Sequence, residues 1–334
     1  MRYWSRGAIR AITLDWFPGR RFLRKPPKAT LAADAKAGVN VALLAFPQSI
    51  AYSLIAGLPP QFGLMSSAIG SATGPFFSGS RFIVLGPTNA TAILMLTGLV
   101  ATGLPPDQRM AAVPLFVLMV GFFMLIGALL RASLLINYIS RTVVTGYITA
   151  AAALIFVNQI QNALGFDIGN ASTFLGIVTG TARSITQTHL PELGIAVATL
   201  AINWAILRWL PKLPNVVITL LVAVALGFGF EYMGWHLAYL SGFSLGDLGF
   251  LRGEFDFDLI GALAAPALAL AFVSVLEGTS IGKTLASKSG RRIDVNQEIY
   301  AMGLSNAASA VFGGMNSSGS LTRSVLSDSS GARS

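Results

Sequence analysis

From residue 37 onward the chain alternates between long apolar runs and short polar breaks. The runs cover about 37–57, 61–79, 82–103, 111–130, 143–163, 191–208, 215–233, 259–281 and 296–313, and a partial one begins near 319. Each complete run has at least 18 residues, enough for a helix to cross the hydrocarbon core of a bilayer. Two of them are interrupted. In the third, the β-prone stretch Phe82 to Leu85 meets Gly86-Pro87 before an apolar run resumes at Ala90. Proline suits the first position of a helix, so the pattern predicts a short extended piece and then a helix starting at Pro87. In the tenth, the Gly/Ser-rich stretch Gly314 to Ser320 leads into a helix beginning at Leu321 or Thr322. A continuous helix kinked at Pro87 would also fit the first case; the second, similar interruption favours a break in both. Extended backbone at membrane depth is tolerated only inside protein or beside water. A helix that begins there leaves its first N–H groups free to face an anion.

Hydrophobic residues make up 54% of the 334-residue chain and charged ones 11%, which marks a polytopic membrane protein. Nine of the 23 Lys and Arg lie in residues 1–36, a basic segment ahead of the first span. It is not a secretory signal, because Asp15 and Pro18 break any apolar core. Its apolar positions, such as Trp4, Ile9 and Trp16, would let part of it lie on the membrane surface. With the N-terminus inside, 18 basic residues face the cytoplasm and three (Arg109, Arg183, Arg252) face outward. A bias of this size sets the orientation and the number of spans. Segments 164–190 and 234–258 become external loops and contain both histidines, His189 and His236, so metal or His-based chemistry finds no support. The chain has no cysteine, and no nucleophile or acid pair marks it as an enzyme.

Few polar groups sit deep in the spans. Pro47 interrupts the first, and Gln48 and Tyr52 follow it on one face, placed for a cavity or for interhelical hydrogen bonds. Ser66, Gly70 and Gly74 form a small-residue face on the second span, suited to close helix contact. Glu277 in the eighth span and Arg323 in the tenth are the two deep ionisable residues. Each costs about 2.5–3.5 kcal/mol at the bilayer centre, so each implies a function or at least a mutual ion pair. The stretch Gly278 to Thr284 has the look of a phosphate loop, but only three residues separate its glycines and it follows a helix. Since the third and tenth spans run in opposite directions, their helical halves would begin at the middle and point their N-termini at each other. That is the geometry of an inverted repeat of seven spans. Two N-termini contribute roughly +0.5 each. With Arg323 the site carries about +2, reduced to about +1 when Glu277 is ionised. A monoanion suits the ionised state and a dianion the protonated one, and proton-coupled anion uptake follows.

Several ordered motifs resemble the SulP sulfate permeases (solute carrier family 26). They are Pro47 to Leu64 in the first span, Gly79-Ser80-Arg81 with Gly86-Pro87 in the third, and Glu277 with Asn296-Gln297-Glu298 in the eighth and after it. Gly303 to Asn306, Phe312-Gly313-Gly314 and Gly319 to Ser324 extend the likeness through the ninth and tenth. The resemblance implies an all-α membrane fold of fourteen spans in two inverted seven-span repeats, a cytoplasmic STAS domain and a homodimer. Carried over, it implies an anion site at Gln48, Tyr52, Thr88, Asn89, Thr322, Arg323 and Ser324, with Glu277 coupling a proton and no cofactor. The expected protein is a secondary active transporter of small inorganic or carboxylate anions in the bacterial inner (plasma) membrane, working by alternating access. An anion channel or exchanger, or a nucleobase transporter of the same fold, is the alternative. Residues 1–36 are read as a cytoplasmic segment and 37–334 as the transport domain. Because Ser334 falls inside the tenth span, the chain reads as truncated, without its last four spans and any STAS domain. Thr88 stands where the family often has an aromatic residue, which leaves substrate identity open.

Overall fold

The computed structural model describes residues 14–21, 28–136, 141–166, 168, 174–210, 215–235, 237 and 257–333. The chain divides into two compact units, residues 1–144 with 243–334, and residues 145–242. The first unit opens with α1 (Lys28–Ile55), α2 (Pro60–Phe77), the two-residue strand β1 (Leu85–Gly86), α3 (Asn89–Ala101) and α4 (Pro106–Leu129). The chain passes into the second unit through α5 (Arg141–Leu164) and continues there with α6 (Phe174–Ser184), α7 (Leu190–Trp209) and α8 (Asn215–Tyr232). It returns to the first with α9 (Phe257–Lys288), α10 (Val295–Val311), β2 (Ser318–Gly319) and α11 (Leu321–Ser329).

Local chemistry sets most of these boundaries. Pro60 and Pro106 start their helices where no N–H is needed. The Asp294 carboxylate accepts the N–H groups of Asn296 (3.0 Å) and Gln297 (3.2 Å) and so caps α10. Helix α1 ends in a glycine turn: Gly57 adopts φ +69°, Leu58 N–H donates to Ser53 O and Gly57 N–H to Leu54 O. Pro47 and Pro266 lie inside unbroken α1 and α9.

Each expected span contains a helix. Among the described residues, four helices are long and apolar enough to cross a membrane by themselves: Lys28–Ile55, Gln108–Leu129, Leu190–Trp209 and Asp258–Lys288. Helix α3 is different in kind. Its 13 residues rise about 20 Å, short of the roughly 30 Å core, so it is a half-helix.

Two readings change. Segment 164–190 is not simply a loop: α6 and a 3-10 turn at Ile185–Gln187 lie within it. Gly176, Gly180, Thr179 and Thr181 masked a helix whose Ile177 is buried by packing. His189 stands beside Glu192 (3.6 Å), one turn on, while His236 and most of 234–258 lie outside the described residues. The small-residue face of α2 meets extended backbone instead of a helix. A Cβ on Gly70 would sit 2.8 Å from Ser317 Oγ, and one on Gly74 3.0 Å from Leu85 Cδ1.

Candidate functional site

The site is built where the two interruptions meet. β1 and β2 pair antiparallel, with Leu85 opposite Gly319 and Gly86 opposite Ser318. Beyond the pair, Ser320 N–H donates to Val84 O (3.0 Å) and Val84 N–H to Ser324 Oγ (2.9 Å). The pairing gives each extended piece a partner for its backbone groups, the condition for placing it away from water. Antiparallel strands leave the bridge in opposite directions. Hence α3 and α11 run apart from a shared centre, with both N-termini at it.

The start of α3 differs from the expectation. It begins at Asn89, not Pro87, because Thr88 and Thr91 form a reciprocal cap: Thr88 N–H donates to Thr91 Oγ1 (3.3 Å) and the two hydroxyls lie 3.0 Å apart. Pro87 is thereby left outside the helix with its carbonyl free. Helix α11 starts at Leu321 as expected, with Ser320 at its N-cap.

Arg323 is 0% exposed. Its Nη2 donates to that freed Pro87 carbonyl and its Nη1 to Ser67 Oγ of α2 (3.3 Å). The Nε–H is enclosed with no hydrogen-bond partner among the described residues. Gly86 makes room for the guanidinium, since a Cβ there would come within 2.4 Å of Nη1. Glu277 of α9 approaches the same corner from another side. Its Oε2 accepts from Thr88 Oγ1 (2.9 Å) and Ser318 Oγ (3.3 Å). One carboxylate oxygen therefore touches both interruptions, and it does not pair directly with Arg323. A plain structural ion pair between the two deep charges is not what forms. Tyr52 lies within electrostatic reach of both.

The remaining expected residues take different places. Gln48 is half-buried, and its Oε1 is enclosed with no hydrogen-bond partner among the described residues. Asn89, half-buried, is the first residue of α3. Thr322 is exposed, and its hydroxyl lies 3.3 Å from Ser320 Oγ. Ser324 is buried, and its hydroxyl accepts Val84 N–H (2.9 Å), so it also holds the strand bridge.

Sequence reasoning missed the supports of β2. Asn306 of α10 donates to Met302 O (2.9 Å) and Ser317 O (2.8 Å), and its Oδ1 accepts Ser317 N–H (2.8 Å). Asn316 Nδ2 donates to Ser274 Oγ (3.1 Å), and Ser318 Oγ is also 3.0 Å from Ser274 O. The only signal in the sequence was a run of polar residues, Ser305-Asn306 and Asn316-Ser317-Ser318, in otherwise apolar surroundings.

The chain compares closely with known membrane proteins. The sulfate permease family matches residues 31–334. A probable sulfate transporter of Mycobacterium tuberculosis (strain CDC 1551 / Oshkosh) is 29% identical over 320 residues, covering 95% of this chain and 57% of the relative. Solute carrier family 26 member 6 of Homo sapiens is 27% identical over 374 residues, covering 99% and 46%. The chain spans about half the length of the curated relatives it matches. Among solved structures, the transmembrane domain of the cyanobacterial bicarbonate transporter BicA superposes with a TM-score of 0.82 at 21% identity, over 93% of this chain and 79% of that one. SLC26A9 superposes with 0.85 at 21% identity, over 99% and 56%. These likenesses establish the fold, that of a polytopic helical membrane protein, and the named relatives are transporters. With the match running from residue 31 to 334, the chain belongs to the sulfate permease family.

Proposed function

We propose that this protein is a secondary active transporter of small inorganic or carboxylate anions, coupled to protons through Glu277 and working by alternating access. One observation carries the reading: the N-termini of α3 and α11 are joined through an antiparallel bridge, with a buried guanidinium and a carboxylate at the join. The N–H groups of two helix starts and the Arg323 Nε–H, which has no partner among the described residues, offer donors to an anion. The names of the relatives point the same way, towards sulfate and bicarbonate.

The carboxylate supplies the coupling. When ionised, Glu277 accepts from Thr88 and Ser318 and so ties the two half-helix starts together. On protonation it no longer needs both donors, and the Ser318 hydroxyl has Ser274 O as a ready alternative (3.0 Å). The site then gains one positive charge, from about +1 to about +2, and prefers a dianion. Proton and anion travel together. Movement of these half-helices against the remainder of a seven-plus-seven inverted repeat would expose the site alternately to either side. The cytoplasmic N-terminus, bacterial inner membrane and homodimeric state belong to the same proposal.

The test is uptake into liposomes with a panel of competing anions at an acid and an alkaline pH. Wild-type uptake of a dianion should rise on the acid side and proceed uphill when driven by a proton gradient. The variant E277Q should take up anion at a rate independent of pH. Retention of the wild-type pH dependence in E277Q would end the coupling mechanism. Flux far above carrier turnover without uphill uptake would favour a channel, and uptake of uncharged bases a nucleobase transporter.

A further inference from the structure

A second buried carboxylate, at the end of the bundle away from the bridge, has no part in the mechanism above. Glu298, on the first turn of α10, is 2% exposed. Ser78 Oγ donates to it, 3.0 Å from Oε1 and 2.8 Å from Oε2, and itself accepts Ser80 N–H (3.1 Å). The carboxylate and this hydroxyl together form a small polar nest that holds residues 78–80. The fit is tight, since a Cβ on Gly79 would lie 3.0 Å from Gln297 Cγ.

The neighbouring residue extends the joint. Gln297 Nε2 donates to Phe77 O (2.7 Å), the last residue of α2, and to Asp15 O (2.8 Å), while its Oε1 accepts Asp15 N–H (2.9 Å). The segment after Asp15 is pressed on by rings: Trp16 edge-on to Tyr300 at 5.8 Å and Phe17 stacked on Phe76 at 6.0 Å. The chain between α2 and β1 is therefore gripped at both of its ends. Glu298 holds residues 78–80, and Ser324 and Ser320 hold Val84. With few residues between the two grips, where β1 sits depends on where the nest sits.

We propose that Glu298 is a positioning residue for the anion site: its nest sets the placement of β1, and through β1 that of Pro87, Thr88 and the Arg323 guanidinium. Gln297 is the second half of the latch, joining it to the N-terminal segment. This rests on the anion-transport reading for its functional consequence, but the placement of β1 is measurable without transport.

The experiment follows three variants, E298A, E298Q and S78A, in the reconstituted protein. Two quantities are read: KM against Vmax for sulfate uptake, and hydrogen exchange of the amides of residues 79–86. E298A is expected to raise KM by about two- to thirtyfold, the range through which residues acting on a site at a distance work. Its amides at 79–86 should exchange faster, while those of α4 are unchanged. E298Q, which keeps one accepting oxygen, should fall between E298A and wild type, and S78A should move both readouts in the same direction. A folded E298A with wild-type KM and wild-type exchange at 79–86 would overturn the proposal. If E298A does not fold, S78A decides by the same two readouts. If wild type itself takes up no anion of the panel, the transport reading fails; the exchange arm alone then decides the latch, with unchanged protection at 79–86 overturning it.

Discussion

Gly86→Ala is the sharpest test of how Arg323 is used. An alanine Cβ would be 2.4 Å from Nη1 and 3.0 Å from Cζ of a guanidinium already tethered to Pro87 O and Ser67 Oγ. Ordinary contact needs about 1 Å more, so the charge must retreat by roughly that distance. At an effective dielectric of about 20, a unit charge attracts an anion by about 4 kcal/mol at about 4 Å and about 3.3 kcal/mol at about 5 Å. The difference, about 0.8 kcal/mol, corresponds to roughly a fourfold loss of affinity from electrostatics alone. Loss of the charge-assisted bond to Pro87 O adds a stability cost of about 1.5–3 kcal/mol. Sulfate uptake should therefore show KM raised about fourfold or more, alongside a lowered Tm. Gly98→Ala is the packing control. Its Cβ would crowd Phe116 Cζ at 2.9 Å and Pro266 Cβ at 3.0 Å, a tight contact with no guanidinium in it. It should lower Tm and leave KM alone. A Gly86→Ala protein with wild-type KM would refute the view that the guanidinium position sets affinity, as would an equal KM change in both variants.

Other outcomes are set by the same geometry. Asn306→Ala strips two buried Ser317 backbone groups of their partner, at about 1–3 kcal/mol each, so thermal unfolding should move down by more than for a typical surface change and sulfate KM should rise. Thr88→Val removes one donor from the ionised Glu277 carboxylate, which favours the protonated form. The acid limb of the uptake profile should move to higher pH, and a shift to lower pH would contradict the donor role. Arg323→Lys keeps the charge but cannot span Pro87 O and Ser67 Oγ with a planar fork, so uptake measured across anions should fall at least about tenfold in Vmax/KM.

How much was legible beforehand depends on the range over which each feature is encoded. The spans were legible because burial in lipid writes itself into twenty consecutive residues. The breaks near Pro87 and Ser320 were legible because Gly, Pro and Ser punctuate a chain locally. Even there a misreading of two residues occurred, since the Thr88–Thr91 cap outweighed the preference of proline for the first helical position. Arg323 and Glu277 stood out because a charge at that depth is costly. Helix α6 did not stand out, because it has only eleven residues, two of them glycines and two threonines, although its apolar positions share one face.

By itself, then, the sequence determined that this is a many-span membrane protein with two half-helices and two deep charges. Only the tertiary structure decided that Leu85–Gly86 and Ser318–Gly319 pair, that Asn306 brackets Ser317, and that Glu277 bridges both breaks without touching Arg323. The reason is physical. A two-residue strand has no periodicity to read, and its partner lies more than two hundred residues away. Which buried hydroxyl or carbonyl meets which charge is settled when helices close on one another, since every enclosed polar group must then find a partner among those the packing brings near.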